Sequence, residues 1–193
     1  NSDNDFEVLV PEFAVRETAK PIALKCRLPI DSAWDKVSDW LKAGEYEPWS
    51  VCLVSANLRD YPLAEILGKC PKELEADLLS GDYAGRRSVS VGTLSGVKGF
   101  EFSMVVVVGC SKDVLPDLTY PKQEQWREAL RLYVAMTRGR DQVLFTYRSD
   151  PSEFLICMKD FLQWENEPDC YRPIHSASPS PVQKKFSKEA PSE

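Results

Sequence analysis

Short runs of strand-forming residues alternate with amphipathic stretches from Pro21 onwards, and this alternation limits the possible folds more than any other feature. The pattern is typical of βαβ units, in which helices cover a parallel sheet. Several of the predicted strands are apolar on both faces, as strands between two layers of helices must be. The predicted strands are Ile22 to Cys26, Ser50 to Ala56, Ser88 to Leu94, Met104 to Gly109 and Gln142 to Tyr147. The sequence therefore predicts an α/β fold, a three-layer sandwich around a mainly parallel sheet of five to six strands.

Helices are predicted between and after these strands. Helical periodicity, with proline near the start and glycine near the end, marks their bounds. Asp31 or Ser32 can cap the first helix, because short polar side chains accept hydrogen bonds from the free backbone N–H groups there. The helices are predicted over Ser32 to Ala43, Asp60 to Gly68, Gln125 to Thr137 and Ser152 to Trp164.

The charge balance limits the ligands that the chain can bind. Its 193 residues include 30 acidic and 24 basic side chains, which give a formal net charge of -6. Affinity for nucleic acid rests on clustered Lys and Arg, so any nucleic-acid contact must come from a local patch.

The longest apolar run is far shorter than the roughly 20 residues of a membrane-spanning helix. The polar, acidic start is unlike a secretory signal. We therefore expect a cytoplasmic protein without a membrane partner, with association with the nucleoid or nucleus as the alternative.

The cysteines and the histidine do not form a recognisable metal site. No two cysteines have the Cys-x-x-Cys spacing, and the single histidine, His175, lies in a polar tail. At least three of the cysteines fall inside or at the end of strand-like apolar runs. We expect reduced thiols at Cys26, Cys52, Cys70, Cys110, Cys157 and Cys170.

Composition divides the chain into an N-terminal extension (residues 1–20), the α/β domain (residues 21–168) and a tail (residues 169–193). The tail is rich in Pro, Ser and Lys and has few large apolar side chains. It cannot repay the entropy of ordering, so it is predicted to be disordered. Within it, Gln183 to Phe186 either docks a partner protein or is as solvated as the rest of the tail.

One segment whose residues could bind a ligand joins two predicted strands. Thr93 lies near the end of the first strand, and Glu101 lies just before the second. Between them, Lys98 and Gly99 belong to a turn of small residues. We therefore expect backbone N–H groups, a cation and a carboxylate at the carboxyl edge of the sheet, where α/β proteins bind ligands. The alternative is a plain connection in which Gly96 and Gly99 serve tight turns.

A second segment, Arg131 to Asp141, leads into the last predicted strand. Within it, Arg138 lies at the end of a predicted helix, directly before Gly139. A guanidinium held rigidly there suits a transferring phosphoryl group, because its planar fork binds several oxygens and stays charged. The alternative is that Arg131, Arg138 and Arg140 only complement the helix dipole on a solvated face.

In this order, the two segments resemble motifs V and VI of the UvrD/Rep/PcrA-type superfamily 1 helicases. Both motifs belong to the second of the two RecA-like motor domains of that family. The motif V pattern, T-L-H-S-A-K-G-L-E-F, is matched at Thr93, Leu94, Lys98, Gly99, Glu101 and Phe102. The motif VI pattern, L-L-Y-V-A-x-T-R-A, is matched at Leu132, Tyr133, Val134, Ala135, Thr137 and Arg138. The resemblance implies a RecA-like fold for the α/β domain.

The resemblance also implies a role for each site residue. As the motif VI arginine, Arg138 would be catalytic and reach the γ-phosphate of ATP across the cleft between two motor domains. Gly99 and Glu101 would bind the same nucleotide, with Glu101 near the ribose. The residues expected to contact single-stranded DNA, or alternatively RNA, are Thr93, Ser95 and Lys98.

The sequence departs from the family pattern in places that bear on activity. Ser95 stands where the motif V pattern has His, and the chain contains no G-x-x-x-x-G-K-[ST] loop. The resemblance therefore implies the C-terminal half of a larger ATP-dependent helicase that is inactive alone. Its partners would be single-stranded DNA and the missing N-terminal motor domain. The Mg²⁺ that accompanies ATP would be held mainly by that missing domain. The alternative is a RecA-like protein-interaction module that has lost motor activity.

Overall fold

A computed structural model describes residues 19–80, 87–112 and 114–168, and its strands form one sheet. They are β1 (Ile22–Lys25), β2 (Val51–Ser55), β3 (Ala76–Leu78), β4 (Val89–Thr93), β5 (Phe102–Val108), β6 (Gly139–Tyr147) and β7 (Gln163–Asn166). The spatial order is β3-β4-β2-β5-β6-β1-β7, and each pairing is parallel. The predicted parallel sheet is thus confirmed, with one strand more than the upper expectation.

The α-helices are α1 (Pro29–Lys42), α2 (Leu63–Gly68), α3 (Lys122–Met136) and α4 (Glu153–Cys157). Single 3-10 turns lie at Pro48–Ser50 and Lys159–Phe161. The predicted cap of α1 is wrong, because α1 begins with Pro29 and no side chain caps it. Ser32 lies inside the helix, and its hydroxyl donates to the Leu28 carbonyl (2.9 Å). Proline can begin a helix without a cap because its fixed φ suits the first turn.

The predicted helix over Ser152 to Trp164 is also wrong. It ends at Cys157, and the chain continues through a 3-10 turn into β7. Backbone pairing to β1 overrides the local helical pattern there, since the Gln163 N–H donates to the Pro21 carbonyl (2.8 Å). Ser152 does cap α4, because its hydroxyl accepts from the Phe154 N–H (3.1 Å).

Two hydrophobic cores cover the two faces of the sheet. On one face α1 meets α2, where the Trp34 indole N–H donates to the Ile66 carbonyl (2.8 Å). On the other face α3 contributes Leu132 and Ala135, and α4 contributes Leu155. All five residues are buried. The three layers of the predicted sandwich are therefore confirmed, with the sheet in the middle.

The strands share one direction, so their ends define two edges of the sheet. The loops that follow the strands lie at the carboxyl edge, and the residues that precede the strands lie at the amino edge. Helix α3 runs between the carboxyl end of β5 and the amino end of β6. This arrangement decides which of the predicted site residues can meet.

The five cysteines in the described part of the chain are free thiols. Burial raises the pKa of the Cys26 thiol to about 12 and that of Cys70 to about 11, so both are protonated at neutral pH. Cys170, His175, the predicted tail and nearly all of the N-terminal extension lie outside the described residues. No described helix has the length and apolar character needed to cross a membrane.

Candidate nucleotide and nucleic-acid site

The backbone at the end of α3 fixes the position of Arg138. The helix ends at Met136, and the N–H groups of Thr137 and Arg138 donate to the carbonyls of Tyr133 and Ala135 (both 3.1 Å). Ala135 is fully buried in the core, which anchors this last turn. The core and these hydrogen bonds therefore fix the backbone that carries the arginine.

The Arg138 side chain is half-buried and only partly satisfied. Its Nη2 donates to the Thr137 hydroxyl (3.3 Å), which itself donates to the Val134 carbonyl (2.8 Å). Its Nε is buried and has no hydrogen-bond partner among the described residues. A buried N–H without an acceptor is costly, so an anionic ligand that accepted from this guanidinium would stabilise the arrangement.

Motif V and motif VI meet at the amino edge. The Phe102 N–H donates to the Arg138 carbonyl (2.9 Å), and Phe102 pairs with Gly139 where β5 and β6 begin. Glu101 and Arg138 therefore directly precede two neighbouring strands at the same edge, and Glu101 is exposed. The prediction that Glu101 lies at the carboxyl edge is wrong, because β4 and β5 are parallel and the segment between them must cross the sheet.

The crossing segment exposes the predicted nucleic-acid residues. Thr93 ends β4 at the carboxyl edge, and its hydroxyl accepts from the Gly96 N–H (2.9 Å). Leu94 and Val97 are buried in the core, whereas Ser95 and Lys98 are exposed. The two apolar side chains thus hold the turn on the sheet while the polar ones face outwards.

Gly99 ends this turn with a φ of +91°, which only glycine adopts readily. No atom lies within 4 Å of the position that a Cβ would take. Glycine is therefore needed here for its conformation and not for lack of space, as the plain-connection alternative expects. The same open space leaves the backbone accessible to a ligand.

A polar cluster lies at the carboxyl edge. Asn57 and Arg59 follow β2, and the Asn57 side-chain oxygen accepts from the Arg59 N–H (2.9 Å). Arg59 Nη1 lies 3.0 Å from Oδ2 of Asp117, a carboxylate that is 2% exposed. Hydrogen bonds from the hydroxyl and N–H of Thr119 hold the pKa of Asp117 below its usual range. The cluster joins the loops that follow β2 and β5.

Two further arginines lie at the carboxyl edge, and the sequence analysis did not single them out. Arg27 follows β1, Arg148 follows β6, and both line a cavity of about 410 Å³ with Tyr61 and Ser111. The Arg148 N–H donates to the Ser111 hydroxyl (2.9 Å). Each arginine is a single basic residue after a strand, so only the pairing of β1 with β6 brings them together. No three His, Cys, Asp or Glu side chains gather as a metal site in the ranges that the structure describes.

Residues 57–150, which include both motifs, match the family model of the UvrD-like helicase C-terminal domain. This part of the chain is a UvrD-like helicase C-terminal domain. The family match thus extends well beyond the residues of motif V and motif VI themselves. The strand β1 and helix α1 precede the matched range but belong to the same sheet and core.

One relative of the UvrD-like domain is the ATP-dependent DNA helicase Rep of Buchnera aphidicola subsp. Schizaphis graminum. It is 34% identical over 95 residues, which cover 42% of this chain and 14% of Rep. The matched region therefore spans a small part of that protein.

Two solved structures have the same fold. The C-terminal domain of a possible DNA helicase from Lactobacillus plantarum WCFS1 has a TM-score of 0.56 at 14% identity and covers 79% of this chain and 89% of its own. Domain 2 of the DEAD-box helicase Mss116p, bound to an RNA duplex, has a TM-score of 0.54 at 11% identity and covers 78% of this chain and 64% of its own. The RecA-like fold that the resemblance implies is therefore confirmed.

Proposed function

We propose that the UvrD-like domain is the second motor half of an ATP-dependent helicase or translocase that moves along single-stranded nucleic acid. Its relative Rep is an ATP-dependent DNA helicase, which makes DNA the first substrate to test. A first motor domain would supply the phosphate-binding loop that this sequence does not contain. The chain alone is expected to be inactive as an ATPase.

One observation carries the proposal. The hydrogen bond from the Phe102 N–H to the Arg138 carbonyl ties the end of motif V to the end of motif VI at the amino edge. A carboxylate, an accessible glycine backbone and a guanidinium with an unsatisfied N–H thereby lie in the segments that lead into two neighbouring strands. This combination suits a nucleotide, which offers ribose hydroxyls to a carboxylate and phosphate oxygens to a guanidinium.

In the proposed reaction, a water molecule attacks the γ-phosphorus of ATP and the bond to the β,γ-bridging oxygen breaks. ADP and inorganic phosphate leave. Arg138 would stabilise the negative charge on the transferring phosphoryl group, and Glu101 would position the ribose. Mg²⁺ would be held mainly by the first motor domain and would supply positive charge that offsets the charge of the phosphates.

Nucleic acid would contact the other end of motif V. The hydroxyls of Thr93 and Ser95 can bind phosphate oxygens, and Lys98 adds one positive charge. Arg27 and Arg148 would extend this surface along the carboxyl edge. Because one short segment joins both ligand sites, a change of domain contact on ATP hydrolysis would reach the nucleic acid through motif V.

The test joins this chain to its first motor domain and measures the ATPase rate with and without single-stranded DNA or RNA. Single strands are expected to stimulate the rate, and Arg138→Ala is expected to lower kcat by about 10³-fold or more. Arg127→Ala is the matched control, because Arg127 is an exposed arginine of the same helix that pairs with Glu124. It should leave kcat unchanged.

If single strands do not stimulate the joined protein and Arg138→Ala changes nothing, the motor assignment is wrong. The RecA-like interaction module would then be the better description. A loss of kcat that Arg127→Ala shares would also contradict the assigned role, since it would reflect the helix and not the guanidinium at its end.

A further inference from the structure

Two neighbouring strands, β1 and β6, end side by side at the carboxyl edge, and each is followed by an arginine. The Cys26 N–H donates to the Tyr147 carbonyl (2.9 Å), and the next residues along the chain are Arg27 and Arg148. Both arginines are exposed, and both line the same two cavities, of about 410 and 470 Å³. Neither guanidinium forms an ion pair with any residue that the structure describes. Two positive charges are therefore available to an anion that enters these cavities.

The smaller of the two cavities also contains Tyr61, and we refer to it as the Tyr61 cavity. The Tyr61 side chain is half-buried, and its ring lies against Gly109, where the absence of a Cβ makes room for it. Its N–H donates to the Asn57 carbonyl (2.8 Å), and its carbonyl accepts from the Ser55 hydroxyl (2.6 Å). Burial raises the pKa of Tyr61 to about 12, against the opposing positive charge of Arg148, so the ring is uncharged at neutral pH. A fixed aromatic ring and two guanidinium groups thus line one cavity.

Acidic side chains line the Tyr61 cavity as well, and most of them are paired. Asp31 forms an ion pair with Lys69 (2.9 Å), and Asp60 forms one with Arg59 (3.4 Å). Glu65 is exposed and has no ion pair within the described ranges. Pairing therefore offsets two of the three negative charges, whereas the charges of both cavity arginines stay unpaired.

The Tyr61 cavity lies along the edge that nucleic acid would follow from motif V. Thr93 ends β4, and β2, β5 and β6 follow in that order across the sheet. With neighbouring strands about 4.8 Å apart, the end of β6 is about 14 Å from the end of β4. Polar residues lie between them, since Asn57 follows β2 and Ser111 follows β5. A single-stranded nucleic acid that contacts Thr93 can therefore continue to the two arginines within a few nucleotides.

We propose that the Tyr61 cavity holds one nucleotide of the bound nucleic acid, with its base on Tyr61 and its phosphates on Arg27 and Arg148. An aromatic ring stacks on any nucleobase, and a guanidinium binds two phosphate oxygens at once. The volume of about 410 Å³ falls in the range of about 300–1,000 Å³ that small-ligand sites occupy. This inference rests on the proposed function, because its ligand is the single-stranded nucleic acid, and it adds a defined base-binding subsite.

The salt dependence of binding tests the two arginines. The affinity of the chain joined to its first motor domain for a labelled oligothymidylate is measured without ATP over a series of NaCl concentrations. Each phosphate contact with a single strand contributes about 0.7 to the slope of log K against log[salt]. Arg27→Gln and Arg148→Gln are each expected to lower the magnitude of the slope by about 0.7. Arg140→Gln is the matched control, because Arg140 is exposed at the opposite end of β6, and it should leave the slope unchanged.

An oligonucleotide without bases tests Tyr61. Replacing the oligothymidylate by an abasic strand of the same length should weaken binding to the unsubstituted protein. This penalty should be about fivefold or more smaller in Tyr61→Leu, which has no ring to stack on a base. Tyr61→Phe keeps the ring and should retain the full penalty. Tyr46→Leu is the matched control, because Tyr46 is a half-buried tyrosine that precedes β2 at the amino edge, and it should also retain the full penalty.

Unchanged salt slopes in both arginine variants would overturn the proposal, and so would an unchanged penalty in Tyr61→Leu. If thermal unfolding shows that Tyr61→Leu does not fold, photo-cross-linking of the unsubstituted protein to a 5-iodouracil oligonucleotide replaces it. A cross-link at Tyr61, located by mass spectrometry, is then expected, and its absence would overturn the proposal.

The subsite and the motor function can fail separately. If single strands bind and stimulate the ATPase but the cavity variants behave as the unsubstituted protein, only the subsite is wrong. If the variants change binding as expected and the ATPase is not stimulated, the subsite stands and the motor function is wrong.

Discussion

Asp117 illustrates how a single carboxylate organises the carboxyl edge. It accepts two hydrogen bonds from Thr119 and pairs with Arg59, while its own N–H donates to the Glu128 carboxylate (2.8 Å). Burial of Glu128 raises the pKa of that side chain, so the two neighbouring acids are shifted in opposite directions. The ionised form of Asp117 is the one that these contacts favour.

The lowered pKa of Asp117 predicts an acid-sensitive contribution to stability. This contribution is present above the usual pKa of 3.8 and is lost as the pH falls through the lower pKa of the folded state. Thr119→Val removes the strongest cause of the shift, so the unfolding free energy should fall less steeply in this acidic range. Thr119→Ser keeps the hydroxyl and should retain the steeper fall. Urea unfolding across the pH series checks this, and equal slopes for Val and Ser would contradict it.

Gly109 is the glycine whose replacement should be most disruptive. It follows β5 with a φ of +91°, and a Cβ there would lie within the ring of Tyr61. Both effects oppose alanine, so Gly109→Ala is expected to lower the unfolding free energy by about 2–5 kcal/mol. Gly68→Ala is the control, because a Cβ on Gly68 meets no atom within 4 Å. Denaturant unfolding of both variants measures the difference, and similar losses would show that neither the positive φ nor the contact with Tyr61 matters.

Among the elements, the central strands were predictable and the edge strands were not. β2, β4 and β5 are almost wholly buried, and their continuous apolar runs are visible in the sequence. β3 and β7 are short edge strands with exposed polar side chains, which leave no apolar run to detect. β7 depends on its pairing with β1, a contact that local sequence does not encode.

The turn that follows β4 should depend on one hydroxyl. Thr93→Val removes the hydroxyl that accepts from the Gly96 N–H (2.9 Å) and leaves the Thr93 carbonyl (3.0 Å) as its other acceptor, while it keeps the shape of the side chain. Losing this hydrogen bond is expected to lower the unfolding free energy by about 0.5–1.5 kcal/mol. Ser95→Ala removes an exposed hydroxyl from the same turn and should change stability by less than about 0.5 kcal/mol. Thermal or urea unfolding measures both changes. An unchanged unfolding free energy for Thr93→Val would contradict the role of the Thr93 hydroxyl in this turn.

At the scale of the whole molecule, the sequence indicated candidate site residues but not their arrangement. Motif V and motif VI are local patterns, so Arg138, Glu101 and Lys98 could be recognised one by one. The meeting of the segments that hold Glu101 and Arg138 depends on β5 and β6 being neighbours, and the crossing of motif V depends on β4 and β5 running in the same direction. Strand order is a property of the complete sheet, which is why the expected location of Glu101 was wrong.

The two ends of motif V are proposed to serve two different ligands. The chain joined to its first motor domain should therefore be titrated with single-stranded DNA while the ATPase rate is measured. Arg138→Ala is predicted to lower kcat by about 10³-fold or more at saturating DNA and to leave the half-saturating DNA concentration unchanged. Lys98→Ala is predicted to raise that concentration and to leave kcat unchanged. If both variants instead changed the same parameter, the assignment of separate nucleotide and nucleic-acid ends would be contradicted.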